Sequence, residues 1–257
     1  MHLRIAHLYP NLMNIYGDRG NIIALKRRCL WRGIKVTVQN ISLNQKLDPE
    51  KFDLFFAGGG QDRQQSLVAK DLQKKKKAIK KAVGAGKVFL LICGSYQLFG
   101  HYFKTHTGEK IPGIGILDIK TVASKKRKIG NVLVQVTSHQ LPATSIIGFE
   151  NHSGNTFLTT SHQPASPAGG PPATSTTFPL GKVIKGFGNN GEDKTEGAVY
   201  KNAFGTYLHG SLLPKNPHFA DLLIRLALET RYKKKVNLKP LDDSLEWQAH
   251  NFAKKLK

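Results

Sequence analysis

The run Val88-Phe89-Leu90-Leu91-Ile92, bounded by Gly86 and Gly94, passes directly into Cys93-Gly94-Ser95-Tyr96-Gln97. A short, continuous apolar run between glycines reads as a strand buried on both faces. The residues before it fit the same plan. Apolar strands expected over 3–8, 35–41 and 54–57 alternate with helical patterns near 21–32 and 66–83. Such β/α alternation argues for a parallel sheet with helices on both faces, whose ligands sit beyond the carboxyl ends of the strands. Gly58-Gly59-Gly60 and Cys93 both fall at that edge.

A helix is expected over 96–104, which makes Cys93 the pivot of a strand-turn-helix elbow. The first amides of a helix have no partner inside it. Together with the positive end of the helix dipole they favour a thiolate, and the Gly94 N–H can face a developing oxyanion. A buried cysteine is more often just a small apolar side chain, so catalysis needs a base. His209, in Phe204-Gly205-Thr206-Tyr207-Leu208-His209-Gly210, follows a strand pattern and precedes a glycine; His152, in Gly148-Phe149-Glu150-Asn151-His152, is the rival. Local sequence does not choose between them.

Length allows a substantial core in one domain over 1–257, with a core of about 3–225 and a C-terminal helical extension of about 233–257. No apolar run approaches the ~20 residues that span a bilayer, and the N-terminus lacks a signal-peptide core, so a cytoplasmic protein is expected. Cys29 and Cys93 have no metal-ligand neighbours at a useful spacing, which argues against a disulfide framework or a structural zinc. Charge is the outlier: 39 Lys and Arg against 17 Asp and Glu give +22. Clusters at 74–81, 125–128, 233–235 and 254–257 invite a nucleic-acid partner. No nucleic-acid-binding motif accompanies them, and solvated faces or an acidic protein partner account for them as well.

Beyond residue 113 the texture changes to short strands at 114–117, 132–136, 145–149 and 156–160. A Pro/Gly/Ser-rich loop at about 161–180 has too little apolar content to pack. Strands resume at 183–184 and 198–200, and helices are expected at 217–232 and 244–256. The stretch 186–191 reads as a hairpin with Asn189 and Asn190 in left-handed geometry. Gly58 to Gly60 lacks a phosphate-loop pattern, so no nucleotide or metal site is expected.

Five segments in order resemble the cobyric-acid-synthase-type class I glutamine amidotransferases: the elbow, Gly58-Gly59-Gly60-Gln61-Asp62-Arg63, Gly148 to His152, Gly186-Phe187-Gly188-Asn189-Asn190-Gly191-Glu192-Asp193, and Gly205 to Gly210. Tyr9-Pro10-Asn11-Leu12-Met13-Asn14-Ile15-Tyr16-Gly17-Asp18-Arg19-Gly20-Asn21 is similar to the glutaminase subunits that serve lipid II amidation. The likeness runs over about residues 3–225.

This resemblance implies a flavodoxin-like three-layer α/β sandwich with a mostly parallel central sheet. It implies Cys93 as nucleophile, His209 as acid–base, Arg127 as the clamp for substrate glutamine, and the backbone amides of Gly59 and Gly94 as the oxyanion hole. It further implies a heterodimer with a MurT-type, Mur-ligase-like synthetase. That partner would carry ATP and Mg and amidate the α-carboxyl of D-glutamate in lipid II, leaving this chain without a cofactor. A glutaminase serving another acceptor, such as a corrinoid carboxylate, is the nearest alternative; a basic nucleic-acid-binding module with a vestigial site is the other. Many class I members carry a glutamate two residues after the histidine. Here Ser211 stands there, so the group orienting His209 stays open among Asp18, Glu150 and Glu192.

Overall fold

The structure is a computed structural model that describes residues 1–137, 144–159 and 176–256. In chain order its first half comprises β1 (His2–Leu8), α1 (Arg19–Leu30), β2 (Lys35–Ile41), β3 (Leu54–Ala57), α2 (Asp62–Gly84), β4 (Val88–Ile92) and α3 (Gly94–Leu98). There follow β5 (Tyr102–Lys104), β6 (Lys110–Pro112), β7 (Ile119–Val136), β8 (Ser145–Leu158), β9 (Gly181–Lys185) and β10 (Thr195–Glu196). The chain then forms β11 (Ala198–Tyr200), β12 (Ala203–Thr206), α4 (Pro217–Tyr232) and α5 (Ser244–Lys255).

The first sheet has the order β11-β12-β4-β3-β1-β2. β2, β1, β3, β4 and β12 run parallel, and β11 closes one edge antiparallel. Every residue of β3 and β4 is buried, as expected of strands covered on both faces, and Phe55 stacks on Phe89 with centroids 4.4 Å apart. β1 to β2 steps one way along the sheet and β3 to β4 the other. Right-handed crossovers therefore put α1 and α2 on opposite faces. The strand order reverses between β1 and β3. Asp18 follows β1, Gly58 to Gly60 follow β3, Cys93 follows β4 and His209 follows β12, so four distant segments meet at one edge.

The second sheet, β10-β9-β7-β5-β6 with β8 on β7, is largely antiparallel. The separate strands expected at 132–136, 145–149 and 156–160 are parts of one long β7–β8 hairpin, broken by a register shift between Ala123 and Lys128. Residue 160 lies outside the described residues.

The apolar run 114–117 is a buried turn. The Ile114, Ile116 and Leu117 amides bond to Leu98 and Phe99 carbonyls, and Gly115 takes φ +59°. The helix expected at 96–104 stops at Leu98, because His101 N–H donates to Ile119 O at 2.8 Å and draws the chain into β5. A Cβ on Gly113 would lie 2.1 Å from Gly100 O, so the crossing of these two segments requires glycine.

The 186–191 stretch does join an antiparallel pair, β9 and β10. Its left-handed positions, however, are Gly186, Gly188 and Gly191, while Asn189 and Asn190 are buried and bonded to Gly197 O and Asp193. Most of the 161–180 loop lies outside the described residues; Phe178 pairs with Val199. Cys29 and Cys93 are free and buried. Among the described residues no helix is long and apolar enough to cross a membrane.

Candidate active site

Cys93 occupies a backbone conformation of φ 50°, ψ −105°, which costs a non-glycine residue about 1–3 kcal/mol. Its N–H donates to Thr206 O on β12 at 2.8 Å and its carbonyl accepts from Gln97 N–H at 3.0 Å. Strand pairing on one side and the short α3 on the other hold the strained residue in place. Cys93 is buried, with 6% of the residue exposed.

β12 pairs with β4 so that Thr206 lies beside Ile92. His209 therefore emerges next to Cys93. Phe149 of β8 fixes its backbone through two hydrogen bonds, 2.7 and 3.3 Å. Its Nδ1 faces Asp18, 3.0 Å from Oδ1 and 3.2 Å from Oδ2. Both side chains are fully buried. Nε2 has no other partner and is left to the Cys93 sulfur. Burial opposes charge on the ring, yet the neighbouring Cys93 and the hydrogen-bonded Asp18 carboxylate together push the imidazole up to about 10. The ring is thereby held as an imidazolium beside the Cys93 sulfur.

Asp18 Oδ2 also accepts the Gly59 N–H, at 2.6 Å. That bond takes the Gly59 amide out of the oxyanion role expected of it. Gly59 is glycine for a different reason: a Cβ there would lie 2.5 Å from His209 Cε1. The Gly60 nitrogen instead approaches the elbow, 3.1 Å from where a Gly94 Cβ would stand. Ser95 Oγ donates to Gly58 O at 2.6 Å and Gln65 Nε2 to Gly60 O at 2.9 Å, which ties the glycine turn to the starts of α3 and α2.

A family model for CobB/CobQ-like glutamine amidotransferase domains matches residues 4–217. The chain belongs to this family. The amidotransferase is 39% identical to the protein named lipid II isoglutaminyl synthase (glutamine-hydrolyzing) subunit GatD of Streptococcus pneumoniae, over 95% of this chain and 87% of that protein. It is also 39% identical to the GatD subunit of Staphylococcus aureus, over 97% of this chain and 94% of that one. A probable cobyric acid synthase of Methanococcus maripaludis is 31% identical over 69% of this chain but only 33% of that protein. The fold is that of a solved glutamine amidotransferase that aligns with a TM-score of 0.53 at 11% identity, covering 86% of this chain and 98% of that one.

Four of the five expected site residues converge in the amidotransferase: Cys93, Gly94, His209 and Gly59, the last through Asp18 and the histidine ring rather than as a free donor. Arg127 reaches the site from the second sheet, at the β7 register shift. Its Nε donates to Asn151 Oδ1 at 2.6 Å and its Nη2 to Tyr16 OH at 3.2 Å. The Tyr16 ring meets the His209 ring edge-on, with centroids 5.1 Å apart. One aromatic side chain thus separates the guanidinium from the His209 ring.

The rival groups are committed elsewhere. His152 bonds to Gly154 O at 2.9 Å and stacks on Tyr207. Glu150 accepts the Phe187 and Gly188 amides, and Glu192 is exposed. Ser211, where a glutamate is common, donates to Gly17 O at 2.6 Å and so fastens the histidine segment to the Asp18 loop. Which amide of the Gly58–Gly60 turn is free, and the contacts of Tyr16, Gln65 and Asn151, are not legible in the sequence. Their contacts join segments far apart in the chain, and only the sheet order brings those together. Within the basic runs some cations are spent internally: Lys75 is buried in an ion pair with Asp71, and Lys128 bonds to Asn155.

Proposed function

We propose that this chain is the glutaminase subunit of a lipid II isoglutaminyl synthase. The observation that carries the reading is the buried Cys93–His209–Asp18 line in a chain 39% identical to GatD subunits along nearly its whole length. The Cys93 thiolate attacks the carboxamide carbon of L-glutamine, forming a C–S bond and an oxyanion. Gly94 N–H, which opens α3 and has no acceptor within it, receives that charge together with Gly60 N–H. Imidazolium His209 passes its Nε2 proton to the amide nitrogen as the C–N bond breaks, and ammonia leaves. Neutral His209 then takes a proton from water, whose oxygen attacks the thioester. Glutamate departs and the thiolate–imidazolium pair is restored.

Arg127 binds the substrate's α-carboxylate through parallel N–H bonds, which a lysine cannot supply. Arg127→Lys is expected to raise KM for glutamine by roughly 10- to 100-fold with a smaller change in kcat, because the lost contact is present throughout the reaction. Steady-state kinetics of glutamate release give both constants.

Ammonia passes to a MurT-type, Mur-ligase-like synthetase that holds ATP and Mg and amidates the D-glutamate α-carboxyl of lipid II. The complex works in the cytoplasm, at the inner face of the membrane where its acceptor resides. The lower identity and partial coverage of the cobyric acid synthase support this acceptor over a corrinoid. Glutamine labelled with ¹⁵N in its amide, supplied with the synthetase, ATP, Mg and lipid II, tests the reading. Label in the isoglutamine amide is the expected result. Label that remains in free ammonia while lipid II stays unamidated would sink the assignment of acceptor.

A further inference from the structure

The glutaminase chemistry leaves the last helix without a task. One face of α5 is seated on the catalytic unit. His250 is fully buried and its Nδ1 bonds to Lys215 O at 2.8 Å. Trp247 stacks on His218 with centroids 5.1 Å apart. Buried Arg28 of α1 clamps Asp243, immediately before the helix, at 2.5 Å. Lys215 in turn donates from Nζ to Gly210 O at 2.6 Å, the residue after the catalytic histidine. α5 is therefore anchored to the rim of the active site.

Leu245, Ala249 and Phe252 follow one another at spacings of four and three along α5, with Leu256 four residues further at its C-cap. That spacing places them on one side of a helix. Leu245 is 72% exposed, Phe252 65% and Leu256 39%. Single exposed apolar residues are ordinary, but a stripe three turns long on a fixed helix marks a surface that another molecule covers.

The distribution of the helix among relatives indicates what covers it. The family model ends at residue 217, the first of α4, and so stops short of α5, whereas a match over 97% of the chain to the Staphylococcus aureus subunit necessarily reaches into α5. The extension, at least into the first part of α5, is thus shared with a relative named as a subunit. In the cobyric acid synthase the matched part fills a third of a longer chain. A stand-alone subunit needs a docking element that a fused one does not. Charge narrows the partner further: Lys254 and Lys255 follow Phe252, Glu246 is the one acidic residue of α5, and the whole chain carries +22.

We propose that the Leu245–Ala249–Phe252–Leu256 stripe is the docking element for the ammonia-consuming synthetase subunit, which receives it in an apolar groove with an acidic rim. The inference rests on the reading of this chain as the glutaminase half of a two-subunit synthase. Through Lys215 and Gly210 the seated helix would place the partner beside His209, where a short and enclosed ammonia path can begin.

The test uses the full chain and the MurT-type synthetase of the same organism, with association followed by titration calorimetry and mass by light scattering. Leu245→Glu with Phe252→Glu is expected to weaken the Kd at least ~100-fold, since each buried Leu or Phe supplies roughly a tenfold or greater factor. Leu245→Ala with Phe252→Ala should fall between it and the wild type. Turnover of glutamine by the isolated subunit and its Tm should stay unchanged. Lys254→Glu with Lys255→Glu should slow association and flatten its salt dependence. Undiminished affinity in the glutamate pair would overturn the docking role. So would a wild type that dimerises through the stripe while the glutamate pair is monomeric. Failure of the wild type itself to bind the synthetase would instead overturn the two-subunit reading, and the inference with it.

Discussion

Cys93→Ala is expected to abolish glutamate release from glutamine, by roughly 10⁴-fold or more in kcat, with little change in Tm. The side chain supplies the only atom in this constellation that can form the acyl intermediate, and the other groups act on that bond. Alanine keeps the Cβ, so the positive-φ elbow, the Cys93 N–H bond to Thr206 and the packing of α3 all survive. A glutamate-release assay at saturating glutamine, with and without the synthetase, reads the effect. Turnover that persisted within tenfold would show that another residue is the nucleophile.

Asp18→Asn carries the second-largest expected effect, a fall of roughly 10²- to 10⁴-fold in kcat. The carboxylate accepts from two donors at once, His209 Nδ1–H and Gly59 N–H. An asparagine offers one oxygen and one NH2, so one of those donors must face another donor. Either the imidazole loses its tautomer and aim, or the glycine turn shifts away.

The variant also moves the pH profile. His209 has its pKa raised to about 10, and the proton it holds is the one the leaving amine needs, so the alkaline limb of kcat/KM should lie near that value. Removing the Asp18 charge lowers the pKa and shifts the limb to lower pH. Stability follows the same sign. A histidine whose folded pKa exceeds its unfolded value of about 6.5 stabilises the native state fully below that pH and loses this contribution as pH rises toward 10. Tm measured from pH 6 to 10 should therefore decline less steeply in the variant than in the wild type.

The first sheet was legible because its strands are short runs rich in apolar residues, those of β3 and β4 closed by glycine, and β2, β3, β4 and β11 occupy the residues that pattern indicates. Cys93 and His209 were legible because each leaves a buried strand at a glycine. Arg127 and the acceptor came from resemblance. Asp18 could be named as a candidate but not chosen over Glu150 or Glu192, since its contact with His209 depends on β1 and β12 lying two strands apart across β3 and β4. The misread elements share a cause. Residues 96–104 and 114–117 have the local signatures of a helix and a strand, yet Gly100 and Gly113 cross too closely for either to form. A hydrogen bond from Gly59 to a carboxylate 41 residues earlier is likewise invisible to local pattern.

The sheet order has a consequence for how the protein is made. β4, five apolar residues with no charge among them, sits between β3 and β12. On the ribosome it pairs with β3 early, then waits for residues 93–202 before β12 arrives to cover its other side. During that interval it is an open, sticky margin of the kind that recruits strands from neighbouring chains. The same wait keeps the nucleophile idle, because its base arrives last. A nascent chain cannot bring His209 to Cys93 until residue 209 has left the exit tunnel.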